Sequence, residues 1–181
     1  MRTLLASGLL FALSATPAFA ADRPAVGDTA ADFSLATVEG EKVELAKLKE
    51  KGPVVLIVLR GFPGYQCPVC NDQVGQFLGS AAKLKAVGAN VVLVYPGPAA
   101  GLKEHAQDFV RGKTLPDNFY LALDPDYAFT KAYNLRWEAK NETAYPATFV
   151  IAKDGKITLA KISMSHGDRS KVQDVLQALG K

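Results

Sequence analysis

The chain has 181 residues, of which 49% are hydrophobic and 22% are charged, and its formal net charge is +3. This composition is typical of a globular protein, and so small a positive excess does not favour a nucleic-acid partner. Two cysteines are too few for a small disulfide-stabilised scaffold, so we expect stability to come from a hydrophobic core.

The first twenty residues have the layout of a secretory signal peptide. Arg2 gives a positive start, an apolar stretch follows from Leu4 to Leu13, and Ala18-Phe19-Ala20 places small residues around a cleavage site. The alternative is a membrane anchor, but spanning a bilayer takes about 20 apolar residues and this stretch is shorter. We therefore expect cleavage after Ala20, export across the inner membrane to the periplasm, and no stable membrane insertion.

Residues 21–181 are long enough for a single domain with a sizeable core. The predicted elements are, in chain order, strands over 30–35, 42–45 and 54–59, a helix over 68–86, a strand over 91–95, a helix over 102–111, a strand over 119–123, a helix from 125 or 126 to 133, strands over 148–152 and 157–162, and a helix over 168–179. Asp154-Gly155 favours a hairpin turn between the last two strands.

This alternation of strands and helices predicts an α/β fold. The unbroken aliphatic runs VVLIVL and VVLVY are typical of parallel strands that are buried on both faces. The final hairpin adds an antiparallel strand. We therefore expect a central mixed β-sheet flanked by helices on both faces.

The two cysteines, Cys67 and Cys70, lie in the sequence GYQCPVC just after the buried run VVLIVL. This is the carboxyl end of a central strand, where open α/β sheets place their sites. Three roles fit the spacing: a structural disulfide, half of a metal site, or a redox-active pair.

The first two roles have little support. A disulfide between residues so close in sequence stabilises by only about 2 kcal/mol, before strain is subtracted. A zinc site needs two further ligands, and His105 and His166 lie far apart without the spacing of a ligand pair.

A reversible dithiol/disulfide is favoured by the position of Cys67 where a helix begins. Pro68 fits the first helical position. Unpaired N–H groups and the helix dipole there lower a thiol pKa to roughly 3.5–7.5. Residues three apart on a helix are about 5–6 Å apart at Cβ, which is close to disulfide reach for Cys70.

A proline stands directly before the predicted strand 148–152. Such a proline is unusual in a central strand, and a cis Tyr145–Pro146 bond would hold a tight turn beside the cysteines. A plain strand-entry proline is the alternative. We expect the cis form, facing Cys67.

Four stretches carry a family resemblance: DTAADFSL, LRGFPGYQCPVCNDQ, LALDPDYAFTKAYNL and YPATFVIAKDGKI. Together they resemble the AhpC/TSA (alkyl hydroperoxide reductase / thiol-specific antioxidant) peroxiredoxin-like proteins of the thioredoxin superfamily. The resemblance extends from about Val26 to Leu179. The resemblance implies a thioredoxin fold and thiol-dependent redox chemistry, with no metal or organic cofactor. It implies an antioxidant oxidoreductase that acts on a peroxide or a protein disulfide and depends on an unidentified thiol reductant.

The chain departs from the peroxiredoxin pattern Pro-x-x-x-Thr/Ser-x-x-Cys, whose last cysteine attacks peroxide. In that alignment Pro63 is the proline, Cys67 takes the Thr/Ser position and Cys70 takes the peroxidatic position. The hydroxyl that positions peroxide is therefore absent. Pro146 stands in the region where typical peroxiredoxins carry an arginine, and Arg60 is either its nearest substitute or a surface arginine at a strand end.

The identity of the nucleophile stays open at this point. Helix position favours Cys67, because more unpaired N–H groups point at it, while burial one turn inside the helix raises the pKa of Cys70. The peroxidase alignment favours Cys70. We expect Cys67 to exchange with disulfides and Cys70 to react if a hydroperoxide is the better substrate, with a Cys67–Cys70 disulfide as the product. A redox-inert binding module on a thioredoxin fold is the alternative function.

The signal-peptide interpretation predicts a mature protein that begins at Ala21, because the small residues around Ala20 suit the cleaving peptidase. Intact-mass measurement of the exported protein checks this. Exported protein that retains Met1 would reject it.

Overall fold

A computed structural model describes residues 22–180, so the predicted signal peptide over residues 1–20 lies outside the described residues. Within residues 22–180, none of the helices combines the length and the apolar character that a bilayer crossing requires.

The described chain contains seven strands and six helices. They are, in order, β1 (Ser34–Ala36), β2 (Lys42–Glu44), α1 (Leu45–Lys51), β3 (Val54–Val58), α2 (Pro68–Gly79), α3 (Ala81–Ala86), β4 (Asn90–Gly97), α4 (Leu102–Phe109), β5 (Phe119–Pro125), α5 (Ala128–Ala132), β6 (Ala147–Ile151), β7 (Ile157–Ile162) and α6 (Val172–Ala178). β1 and β2 pair as a separate two-stranded sheet.

The predicted mixed sheet is confirmed. Its five strands have the order β5-β4-β3-β6-β7, in which β3, β4 and β5 are parallel and β6 and β7 run antiparallel to their neighbours. β3 lies at the centre and all five of its residues are buried. The loop that carries the cysteines therefore leaves from the middle of the sheet edge.

Alternate side chains of β3 build two cores on opposite faces of the sheet. Val55 and Ile57 pack with residues of α2, α3, α4 and α6, in a cluster that includes both cysteines. Val54, Leu56 and Val58 pack with residues of α1 and α5. The side-chain period of two in a strand produces this division, and it puts helices on both faces.

The helices depart most from the prediction in three places. The helix predicted over 68–86 is interrupted at Ser80, whose φ of −110° and ψ of 10° separate α2 from α3. α1 was not predicted, because alternating Lys and Glu residues concealed the buried pair Leu45 and Leu48. The closing helix begins at Val172 rather than at residue 168, because residues 163–171 form a loop in which the Ser163 hydroxyl donates to the carbonyl of Asp168.

The expectation of a cis Tyr145–Pro146 bond is wrong, since the bond is trans. The Tyr145 N–H donates to the carbonyl of Leu135 at 2.8 Å, and the Pro146 carbonyl accepts from the Ser163 N–H at 2.8 Å. Both bonds belong to an extended segment that runs directly into β6. Pro146 is therefore a buried strand-entry proline, and no tight turn is needed.

Asp124 organises the connection from β5 to α5. Its fully buried carboxylate accepts hydrogen bonds from the N–H of Phe129 at 2.7 Å and from the N–H of Thr130 at 3.0 Å. These are N–H groups in the first turn of α5, which lack partners within the helix. The carboxylate therefore holds a short helix that is too brief to be stable alone.

We predict that Asp124→Ala lowers the free energy of unfolding by about 1–3 kcal/mol, because two buried N–H groups lose their acceptor. Urea denaturation measures this. The matched control is Asp108→Ala, which removes an exposed carboxylate paired with Arg111 and should cost less than about 0.5 kcal/mol. Equal losses in the two variants would contradict the capping role.

Candidate active site

Cys67 caps the start of α2, as predicted. Its backbone is extended, with φ −71° and ψ 112°, and Pro68 occupies the first helical turn. The Cys67 sulfur accepts the N–H of Cys70 at 3.3 Å. The thiol thus takes the place that a Ser or Asp side chain takes at many helix starts, where an acceptor with negative charge is stabilised.

Cys70 lies one turn further along and deeper. Its sulfur accepts the backbone N–H of Arg60 at 3.4 Å. Only 2% of Cys67 and 1% of Cys70 is exposed, and fewer protein atoms surround Cys67 than Cys70. Both residues are free thiols in this structure, so the Cys67–Cys70 disulfide remains a prediction for the oxidised protein.

Arg169 is a site residue that sequence reasoning missed. It lies in the loop between β7 and α6, and its Nη2 is 3.5 Å from the sulfur of Cys70 and 4.0 Å from that of Cys67. The prediction placed this residue inside the closing helix over 168–179 and gave it no role in the site. The available signal was weak: the apolar spacing of that helix begins only at Val172.

Two further contacts orient the Arg169 guanidinium. Its Nε donates to the carbonyl of His166 at 3.0 Å, and its Nη1 donates to the side-chain oxygen of Gln73 at 3.4 Å. Gln73 is buried on α2 and donates in turn to the hydroxyl of Thr148 in β6 at 3.3 Å. The guanidinium is thereby held with Nη2 directed at the sulfurs.

These contacts move the pKa values of the two thiols in opposite directions. The pKa of Cys67 is lowered to about 6, chiefly because its sulfur accepts a hydrogen bond from the Cys70 thiol. The Cys70 N–H and the charges of Arg169 and Arg60 lower this pKa further, and together these effects outweigh desolvation. The same hydrogen bond, together with burial, raises the pKa of Cys70 well above its ordinary value. At neutral pH the pair therefore holds its negative charge on Cys67.

Arg60 is a buried residue, and its interpretation as a surface arginine is wrong: only 3% of it is exposed. Its guanidinium contacts Glu142 at 2.8 Å, the hydroxyl of Tyr65 at 2.6 Å and the carbonyl of Asn141 at 3.1 Å. Arg60 therefore contacts Cys70 through its backbone N–H, while its guanidinium joins the cysteine loop to the segment before β6.

Glu142 links three parts of the site. One carboxylate oxygen pairs with Arg60 and the other lies 2.8 Å from Nε2 of His166, in the same loop as Arg169. Burial opposes its ionisation, but the hydrogen bonds from Arg60 and His166 outweigh burial and lower the pKa of the carboxyl. The Glu142 carboxylate thus joins the segment before β6 to the cysteine loop through Arg60 and to the loop before α6 through its contact with His166.

The three prolines predicted to support the site occupy different positions. Pro68 is exposed at the start of α2, Pro63 is half-buried in the loop before it, and Pro146 is buried. Pro146 precedes Ala147, which pairs with Val58 at the end of β3. It therefore lies at the same sheet edge from which the cysteine loop departs.

A groove with a volume of about 780 Å³ runs beside the site, between α2 and residues 167–173. Arg169 and Gln73 lie on its wall, so Arg169 connects the groove to the two sulfurs. Its other side chains are largely polar and include Asp72, Gln76 and Gln173.

Comparison with known proteins agrees with this chemistry. A family model described as the AhpC/TSA family matches residues 26–160. The thiol-disulfide oxidoreductase ResA of Bacillus subtilis (strain 168) is 28% identical over 153 residues, which cover 84% of this chain and 75% of that protein.

Two solved structures share the fold. The peroxidoxin BcpB from Mycobacterium tuberculosis aligns with a TM-score of 0.66 at 23% identity, covering 87% of this chain and 97% of that one. A Chlorobium tepidum protein described as a thiol:disulfide interchange protein, DsbE, aligns with a TM-score of 0.64 at 26% identity, covering 87% of this chain and 99% of that one. The expected thioredoxin fold is confirmed.

We predict that alkylation of the reduced protein at neutral pH occurs at Cys67. With a pKa of about 6 for Cys67, its thiolate fraction and its alkylation rate rise with pH through 6 and level off above about pH 7. Iodoacetamide labelling against pH, with Cys70→Ser and Cys67→Ser compared, measures this. Cys70→Ser should keep the fast thiol, and Cys67→Ser should leave a slow one. The reverse result would make Cys70 the nucleophile.

Proposed function

Because the chain belongs to the AhpC/TSA family, we propose that this oxidoreductase is an exported thiol–disulfide exchange enzyme in which Cys67 attacks a protein disulfide and Cys70 resolves the intermediate. The observation that carries the proposal is the opposite displacement of the two thiol pKa values within one helical turn. Cys67 is a thiolate and can act as the nucleophile of the first step, whereas Cys70 stays protonated until the second step.

The proposed reaction has two exchange steps. The Cys67 thiolate attacks one sulfur of the substrate disulfide, a mixed disulfide forms, and the departing substrate thiolate takes the proton of Cys70. The Cys70 thiolate then attacks the sulfur of Cys67, which releases the second substrate sulfur to be protonated by water. The substrate gains two electrons, and the cysteine pair loses two as the Cys67–Cys70 disulfide.

Three observations favour a disulfide over a peroxide as the main substrate. The residue aligned with the peroxidatic cysteine, Cys70, is the deeper thiol and has the raised pKa. The aligned Thr/Ser position is occupied by Cys67, so the hydroxyl of the peroxidase pattern is absent. The groove beside the site is far larger than a peroxide and has the volume of a site for a larger ligand, such as a short polypeptide segment.

Peroxide reduction is the second candidate, because the Arg169 guanidinium provides N–H donors beside the sulfurs. In that reaction Cys67 would attack a peroxide oxygen, become a sulfenic acid and release an alcohol or water. Cys70 would then condense with it, water would leave, and the same disulfide would form.

Export and regeneration complete the proposal. The predicted signal peptide supports action in the periplasm, where protein disulfides form and persist. The disulfide form has to be reduced before another cycle, so the proposal requires an external thiol reductant. Substrate reduction then proceeds for as long as that reductant is supplied.

We predict that the reduced protein reacts with a peptide disulfide at least about tenfold faster than with hydrogen peroxide, because a thiolate with a pKa of about 6 favours disulfide exchange while no peroxide-positioning hydroxyl is present. Stopped-flow thiol consumption with each oxidant, measured side by side, tests this. Cys67→Ser should abolish both reactions. Cys70→Ser should stop at the mixed disulfide. Faster reaction with peroxide would reverse the choice of substrate.

A further inference from the structure

We propose that Arg169 is a catalytic residue whose guanidinium stabilises the thiolate first at Cys67 and then at Cys70. Its main contribution is to the second step, when Cys70 becomes the nucleophile. This inference rests on the proposed dithiol function and adds the group that makes the buried sulfur reactive. It assigns a chemical role to the loop between β7 and α6.

The distances favour Cys70 as the principal partner. Nη2 of Arg169 is 3.5 Å from the sulfur of Cys70 and 4.0 Å from that of Cys67. The remaining nitrogens of the guanidinium bond to the His166 carbonyl and the Gln73 side chain. Nη2 of Arg169 can therefore donate to whichever of the two sulfurs carries the negative charge, with little movement of the side chain.

Arg169 is the cation placed to stabilise a thiolate at Cys70, because the other charged groups nearby pair with one another. The carboxylate of Glu142 pairs with Arg60 and His166, and that of Asp168 pairs with Lys161 at 2.7 Å. The charge of Arg60 is thus largely matched by Glu142, and Arg60 reaches Cys70 through its backbone N–H. Tyr95 is neutral, because burial raises the pKa of its phenol.

The first step changes the surroundings of Cys70. Before attack, the Cys67 thiolate accepts a hydrogen bond from the Cys70 thiol, and this bond is the largest cause of the raised pKa of Cys70. Once Cys67 is part of a neutral mixed disulfide, that cause disappears. Burial still opposes a charge on Cys70, whereas Arg169 and the Arg60 N–H favour it.

The second step then needs a cation at the buried sulfur. The Cys70 thiolate attacks the Cys67 sulfur, the Cys67–Cys70 bond forms, and the bond from Cys67 to the substrate breaks with its electron pair on the substrate sulfur. A guanidinium already in place stabilises the attacking thiolate without reorganisation, and charge-assisted bonds are strong where water is excluded.

The two steps can be observed separately with 4,4′-dithiodipyridine, a neutral disulfide whose docking does not depend on the charge of Arg169. Attack by Cys67 releases one coloured 4-thiopyridone, and resolution by Cys70 releases the second. We expect Arg169→Gln to slow the second release about tenfold and to raise its pH midpoint by about one unit, with a smaller effect on the first release.

Two variants separate charge from structure. Lys153→Gln removes the same charge at an exposed position in the hairpin between β6 and β7, outside the groove, and should change neither release by more than about twofold. Arg169→Lys keeps the charge and should recover part of the second rate. Circular dichroism and thermal unfolding confirm that each variant is folded.

An unchanged second release in folded Arg169→Gln, or equal slowing of both releases with unaltered pH midpoints, would overturn the catalytic role. Slowing by Lys153→Gln as large as that by Arg169→Gln would also overturn it. Failure of the proposed function has a different signature: the wild-type protein would release no 4-thiopyridone, or Cys67→Ser would react as fast as wild type.

Discussion

The site depends on holding one negative charge at the start of α2, where two thiols are almost sealed from water. Burial alone would keep both thiols protonated. The N–H and thiol of Cys70, with the charge of Arg169, reverse this for Cys67 only. Because the Cys70 thiol is a donor in that arrangement, the stabilisation of one thiolate is also what keeps the other sulfur protonated. In the proposed reaction, the order of the two steps follows from this asymmetry.

The scaffold brings three distant segments to that charge. The central position of β3 places the cysteine loop beside the entry to β6, since Val58 pairs with Ala147. The loop between β7 and α6 lies over the same edge, and Glu142 joins it to the cysteine loop through Arg60 and His166. Each charged group is paired or directed at a sulfur, as the cost of burying an isolated charge requires.

The arrangement differs from the peroxiredoxin pattern in a way that has chemical consequences. A thiolate occupies the position where that pattern has a hydroxyl, and the aligned peroxidatic position holds the sulfur with the raised pKa. In the proposed function, this exchange of positions replaces a peroxide site by a dithiol site. The chain is similar in sequence to a thiol-disulfide oxidoreductase, and it shares its fold with a peroxidoxin.

The sequence by itself determined the features that depend on neighbouring residues. Apolar runs identified the buried strands β3 and β4, Pro68 located the start of α2 at Cys67, and Asp154-Gly155 marked the hairpin between β6 and β7. Only the tertiary structure decided the burial of Arg60, the trans bond at Pro146 and the approach of Arg169 to the sulfurs. Periodicity and helix capping act over a few residues, whereas Arg169 meets Cys70 across 99 positions because sheet order and loop paths bring them together.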